Sequence, residues 1–208
     1  MDDDQKQALE DLRIIRQMME RTTRRWTGEG FMIWAVWGVG GIVGSLASEV
    51  LVRTARPHLI PLVWNLYWFA GLLLTILFAR RYRKAQGRRL ISFGGRVIGF
   101  VWVAVGVSLL MTFCASTYLR SFATLPVTWI TIVGTGVYIT GAILQERIFS
   151  FAGVVWWLGA LAALFLPEYV YLIEAALMFF GYLLPAWIVR NRGADGGSSA
   201  GEPLQTPA

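Results

Sequence analysis

Phe31-Met-Ile-Trp-Ala-Val-Trp-Gly-Val-Gly-Gly-Ile-Val-Gly-Ser-Leu-Ala-Ser-Glu-Val-Leu-Val52 is an unbroken apolar run with one charged residue, Glu49, close to its end. At 1.5 Å of rise per residue, about 20 residues in a helix cross the roughly 30 Å hydrocarbon core of a bilayer. The run therefore reads as a transmembrane helix. About thirty residues, among them Asp2, Asp3 and Asp4, precede it, unlike the short basic start of a cleaved signal sequence, and the span is expected to be retained.

Outward from that run the pattern repeats. Apolar stretches of similar length follow at 59–79, 97–117, 126–144, 148–166 and 169–189, and of these only the last holds a charge, Glu174. A charge at mid-membrane costs about 2.5–3.5 kcal/mol on insertion scales, so the uncharged spans are the most secure. Composition agrees: 56% of the 208 residues are hydrophobic and 15% charged, against about 25% charged in ordinary soluble domains. The expected fold is all-α, an integral membrane bundle of six transmembrane helices in three helical hairpins. Its organisation is a cytoplasmic amphipathic juxtamembrane helix over 1–30, the six-helix domain with spans 31–52, 59–79, 97–117, 126–144, 148–166 and 169–189, together 31–190, and a disordered cytoplasmic tail over 191–208, rich in Gly, Ser and Pro.

Basic residues orient the bundle. Of the 19 Lys and Arg, only Arg53, Arg56 and Arg120 fall in the connections after spans one and three; the other 16 lie before span one, between spans two and three, after span four, or in the tail. The excess of Lys and Arg in short loops marks the cytoplasmic side, so both termini are expected in the cytoplasm. A net charge of +6 is thereby explained by topology, and no nucleic-acid partner is expected.

Before span one, Ala8, Leu9, Leu12, Ile14, Ile15, Met18 and Met19 share a broad face at 100° per residue, opposite Lys6, Glu10, Arg13, Arg16, Glu20 and Arg21. Such a helix fits anionic phospholipid at the inner leaflet, or a protein partner, either a second copy of the chain or a regulator. The residues expected at that surface are Leu12, Ile15 and Met19, with Arg81, Arg83 and Arg88 of the basic loop. The run Leu12-Arg-Ile-Ile-Arg-Gln-Met-Met-Glu-Arg21 resembles the juxtamembrane segment of uncharacterised bacterial multi-pass inner-membrane proteins. The resemblance implies a bacterial inner (cytoplasmic) membrane and carries no activity with it.

Chemistry is constrained by what is scarce. His58 is the only histidine, the five Asp are residues 2, 3, 4, 11 and 195, and Cys114 is the only cysteine. A histidine-paired haem, a thiolate metal cluster, an intramembrane aspartyl pair and a Ser–His nucleophile all lack their parts. No catalytic constellation, metal site or cofactor is expected, and the protein is read as non-enzymatic.

What remains is Glu174, about five residues into span six. Asn65 and Thr131 lie at matching depth in spans two and four, and Thr128, Thr131 and Thr135 share a helix face. With Trp129 and Tyr171 they form the expected ligand site, a polar layer in the outer half of the bundle. A carboxylate among aromatic rings suits a cationic ligand. The expected role is binding or transport of a small ligand, a cationic one included; the alternative is a membrane-embedded scaffold or regulator working through the N-terminal helix and the basic loop. The odd spans share a Trp-then-Gly texture (Trp37-Gly38, Trp102 and Gly106, Trp156 to Gly159), and the even spans carry Gly71, Gly136 and Gly181 ahead of a basic residue. That texture fits either a three-fold hairpin repeat or simple packing.

Overall fold

The computed structural model describes residues 7, 31–86, 93–119, 121–122 and 124–198. The chain forms α1 (Phe31–Arg53), α2 (Ile60–Gln86), α3 (Phe93–Leu119), α4 (Leu125–Leu144), α5 (Arg147–Phe165), α6 (Val170–Met178) and α7 (Leu184–Ser198), with short 3-10 turns at Pro57–Leu59 and Pro167–Tyr169 and a π-helical turn, Phe179–Leu183, joining α6 to α7. Six spans in this set are long and apolar enough to cross a membrane, the sixth being the joined α6 and α7. Among the described residues there is no strand. The amphipathic helix expected over 1–30, with Leu12, Ile15 and Met19, lies outside the described residues, as does Arg88; Arg83 stands in the last turns of α2 and Arg81 is exposed. Helix extends through Ser198, eight residues past the 31–190 boundary, where a disordered tail was expected from 191. The physical reason is cooperativity: once the apolar span has formed, each further residue adds a hydrogen bond without a new nucleus.

Two reversals are built alike. α1 ends with Ala55 at φ 57° and α4 with Gln145 at φ 56°. In each the amide after the left-handed residue reaches back to the helix, Arg56 to the Leu51 carbonyl at 2.8 Å and Glu146 to the Gly141 carbonyl at 3.0 Å. This closing pattern usually uses glycine; a side chain there costs about 1–2 kcal/mol. Prolines set the starts: Pro57 and Pro167 open the 3-10 turns, and Pro126 sits in the first turn of α4, where a missing N–H is harmless.

α4 and α5 form the most extensively packed pair, followed by α1 with α6, then α3 with α4 and α1 with α2. All three expected hairpins, spans one with two, three with four and five with six, are present, but the two most extensive contacts, span four with five and span one with six, run between hairpins. The reason lies in glycine placement. A Cβ on Gly153 would meet the backbone of Tyr138 at 2.8 Å, and one on Gly141 would overlap the Ser150 amide, so α4 and α5 approach backbone to backbone. α2 is the most peripheral span: Gly71 is its only buried residue among those described, and Leu62, Leu66, Phe69, Leu73 and Ile76 line its exposed face at the spacing of one helical stripe. The centre is aromatic. Trp34 packs on Trp102, Phe149 and Tyr182 at centroid distances of 5.6, 4.9 and 4.3 Å, and Trp156 is fully buried. At the same end the Arg190 guanidinium lies over the Phe31 ring, 4.6 Å from its centroid.

The Trp and Gly texture acquires a structural meaning. Trp37 Nε1 donates to Thr75 Oγ1 at 3.0 Å and Trp102 Nε1 donates to Thr140 Oγ1 at 3.1 Å. Both pairs are 38 residues apart. Pro61, Trp64, Gly71 and Thr75 recur, at one constant offset, as Pro126, Trp129, Gly136 and Thr140. In all three hairpins the tryptophan of the odd span lies against the glycine of the even one: a Cβ on Gly71 would come within 2.9 Å of Trp37, on Gly136 within 3.6 Å of Trp102, and on Gly181 within 2.6 Å of Trp156.

Candidate functional site

Span one carries two small-residue lanes on different faces. Gly40 and Gly44 face α2, with Tyr67 and Trp64 above them. Gly38, Gly41 and Ser45 face the sixth span, and this second lane makes the site, while Ser48 one turn on is engaged by Trp64 of α2. The antiparallel register is regular: Gly38 lies under Tyr182 and Leu183, Gly41 under Met178, and Ser45 opposite Glu174. Positions 174, 178 and 182 recur every fourth residue and so share one stripe of the helix.

Glu174 is 5% exposed, and Ser45 and Ser48 are fully buried. Ser48 is satisfied twice: its hydroxyl donates to the Gly44 carbonyl at 2.8 Å and accepts from Trp64 Nε1 at 3.1 Å. Ser45 is not. Its hydroxyl faces the Glu174 carboxyl, yet no hydrogen bond of acceptable geometry closes between them, and Ser45 Oγ has no partner among the described residues. A buried polar group left so costs about 1–3 kcal/mol. One helical turn further on, Glu49 is also buried but is paired, accepting from Arg53 Nε at 2.7 Å. Tyr67 and Tyr171 stand within electrostatic range of Glu174, and Tyr171 also of Glu49. The Tyr67 hydroxyl donates to the Trp37 carbonyl at 3.0 Å.

The hydrogen-bond register of the sixth span changes just past the carboxyl. Pro185 has no N–H to give the Gly181 carbonyl one turn earlier. The ladder shifts to a π register over Phe179–Leu183, in which the Leu184 N–H reaches the Phe179 carbonyl. Trp156 Nε1 of α5 donates to the Gly181 carbonyl at 3.0 Å. Glycine is required at 181 because a Cβ there would sit 2.6 Å from that indole nitrogen. Single π turns inside α-helices concentrate at functional sites.

Of the residues expected from sequence to line a ligand site, the structure brings Glu174 and Tyr171 together. Asn65 is exposed and donates to the Pro61 carbonyl of its own helix at 2.8 Å. Thr128, Thr131 and Thr135 likewise donate to carbonyls four residues earlier, each at 2.9 Å; Thr131 and Thr135 are exposed, and Thr135 accepts from Trp157 Nε1 at 3.3 Å. Equal depth placed these groups in one layer, but rotation about each helix axis turns them away from Glu174. Trp129 donates to Thr112 Oγ1 at 3.1 Å and meets Trp64 and Trp68 edge to face at 6.0 and 5.9 Å. Ser45, Ser48 and Tyr67 were the residues missed. The signal that could have found them is the lane of small residues at 38, 41, 45 and 48, spaced three and four apart. Among the described residues no group of His, Cys, Asp and Glu could hold a metal ion. No family model matches the chain, and no curated protein or solved structure matches it.

Proposed function

We propose that the protein is a non-enzymatic carrier or binding protein for a small cationic ligand, held inside the bundle by Glu174. One observation carries the proposal: a buried carboxyl with no ion-pair partner among the described residues faces a buried hydroxyl that is also without a partner. Intramembrane ionisable groups are expensive and mark ligand and ion pathways. Among the described residues no charge offsets that expense, so a bound ligand is the natural complement. The π turn in span six supports a functional role for this segment, since single π turns inside α-helices concentrate at functional sites.

In this reading the chain lies in a bacterial inner membrane, with the Phe31 end of the bundle and both termini facing the cytoplasm, supported by the 16 basic residues on that side. Glu174 and the Arg53–Glu49 pair then lie toward the outer surface. Purified protein in proteoliposomes should take up organic cations such as guanidinium or ethidium above the protein-free background, and Glu174→Gln should reduce that flux at least tenfold while eluting as a monodisperse species. Equal flux in the variant, or no flux with the parent protein, would sink the proposal.

A further inference from the structure

The carrier reading leaves the ligand class and the driving force open, and the groups around Glu174 narrow both. On the sixth span its ionisable neighbour is Tyr171 and on α2 Tyr67; beyond them lie Tyr182, within range of Tyr67, and on α1 Glu49, within range of Tyr171 and neutralised by Arg53. α5 offers only Arg147, its first residue and at the opposite end, while Glu168 is exposed in the turn beyond it and Arg190 is engaged with Phe31. No described cation balances Glu174. An ionised carboxylate buried without a counter-charge is strongly disfavoured. Two neutral states remain, a carboxyl that holds a proton and a carboxylate that holds a cationic ligand, and they are mutually exclusive because both use the same negative charge.

The identity of that cation follows from what it could touch. A quaternary ammonium binds through open aromatic faces. Here Trp37, Trp64, Tyr67, Trp68 and Trp129 close on one another edge to face, with centroids 5.1 to 6.0 Å apart, so ring edges cover those faces. A hard metal cation wants about six to eight oxygen ligands. The described oxygens near the carboxyl are few, Ser45 Oγ without a partner, Ser48 Oγ engaged with Gly44 and Trp64, and the Tyr67 hydroxyl turned as a donor to the Trp37 carbonyl, well short of such a shell, and the Glu174 carboxylate and Ser45 Oγ are the acceptor pair at the centre. Two adjacent acceptors, one of them charged, match a cation that donates N–H hydrogen bonds.

We infer that the Glu174 and Ser45 pair exchanges one proton for one singly charged, N–H-bearing ligand, an ammonium or guanidinium, so that each transport cycle moves no net charge. The inference rests on the carrier reading. No covalent bond to carbon is made or broken: Glu174 releases its proton to water on one side as the ligand's positive charge arrives, and the reverse occurs on the other.

The test uses the full chain in proteoliposomes with radiolabelled guanidinium, which stays charged and does not cross lipid as a free base. An acid-inside pH gradient should drive uptake with the voltage clamped at zero by valinomycin and potassium. An inside-negative voltage without a pH gradient should add little. Excess methylguanidinium, which also stays charged, should compete, and tetramethylammonium and sodium should not. Ser45→Ala should weaken apparent guanidinium affinity several-fold with proton coupling retained, and Glu174→Gln should abolish gradient-driven uptake. In detergent, adding guanidinium to the parent protein should release about one proton per chain to a pH indicator, a readout that stands even where a variant fails to fold. Voltage-driven uptake with no pH dependence, or binding without proton release, overturns the exchange while leaving the carrier reading intact. Competition by tetramethylammonium equal to that by methylguanidinium overturns the ligand class. Absence of any cation flux overturns the carrier reading itself.

Discussion

Trp156 has two roles in the structure, as the largest fully buried side chain and as the donor to a carbonyl that Pro185 leaves short of a partner. The two residues are thus coupled across α5 and the sixth span. Trp156→Phe removes the donor and should lower stability by about 1–3 kcal/mol, the cost of an unsatisfied buried polar group. Pro185→Ala returns an N–H to the ladder, so in that background the same substitution should cost distinctly less. Thermal unfolding of the four proteins in detergent measures this, and equal costs in both backgrounds would show that the hydrogen bond plays no part. At the same scale, Ser45 and Ser48 illustrate why neighbours of one type differ in use: Ser48 spends its hydroxyl on Gly44 and Trp64, and Ser45 Oγ is left without a partner among the described residues.

At the scale of elements, glycine position decides which helices meet. The α4 and α5 contact relies on Gly141 and Gly153, whose absent side chains admit the opposing backbone. Gly153→Ala has no flexible neighbour to displace and should destabilise by about 1–3 kcal/mol, as overpacking does. Gly106 in α3 has nothing within 4 Å of a Cβ, and Gly106→Ala should be neutral or slightly stabilising, because Ala has the higher helix propensity. Melting temperatures of the pair in one detergent check both, and a Gly106 variant as unstable as the Gly153 variant would contradict the packing described. The three Trp-on-Gly contacts have a related origin: a flat indole can lie along a helix only where that helix offers no Cβ.

For the whole molecule, the order of contacts runs α2, α1, the sixth span, α5, α4, α3, with α2 and α3 at the margins. The site sits between α1, α2 and α6, toward the end of the bundle where α1 ends at Arg53. Orientation is directly measurable. On a Cys114→Ser background, Arg56→Cys should react with an impermeant maleimide added to intact cells, whereas Gln145→Cys should react only after permeabilisation. The reverse pattern would invert the proposed topology and put Glu174 near the cytoplasm.

The six spans and the candidate carboxyl were legible in the sequence because both depend on one-dimensional quantities. An apolar run of sufficient length has no better place than a membrane, and Glu174 is conspicuous in such a run whatever surrounds it. The helix ends at Ala55 and Gln145 were less so, since neither is the glycine such reversals favour. Asn65, Thr128, Thr131 and Thr135 share a depth with Glu174 that sequence position supplies, but their hydroxyl and amide groups bond within their own helices. Which lane of α1 faces the sixth span, why Ser45 rather than Asn65 meets Glu174, and how Pro185 finds its compensation in Trp156 were decided only by tertiary structure. Those outcomes depend on how each helix is rotated about its axis, and that rotation is set by the close approach of backbones at glycines on neighbouring helices.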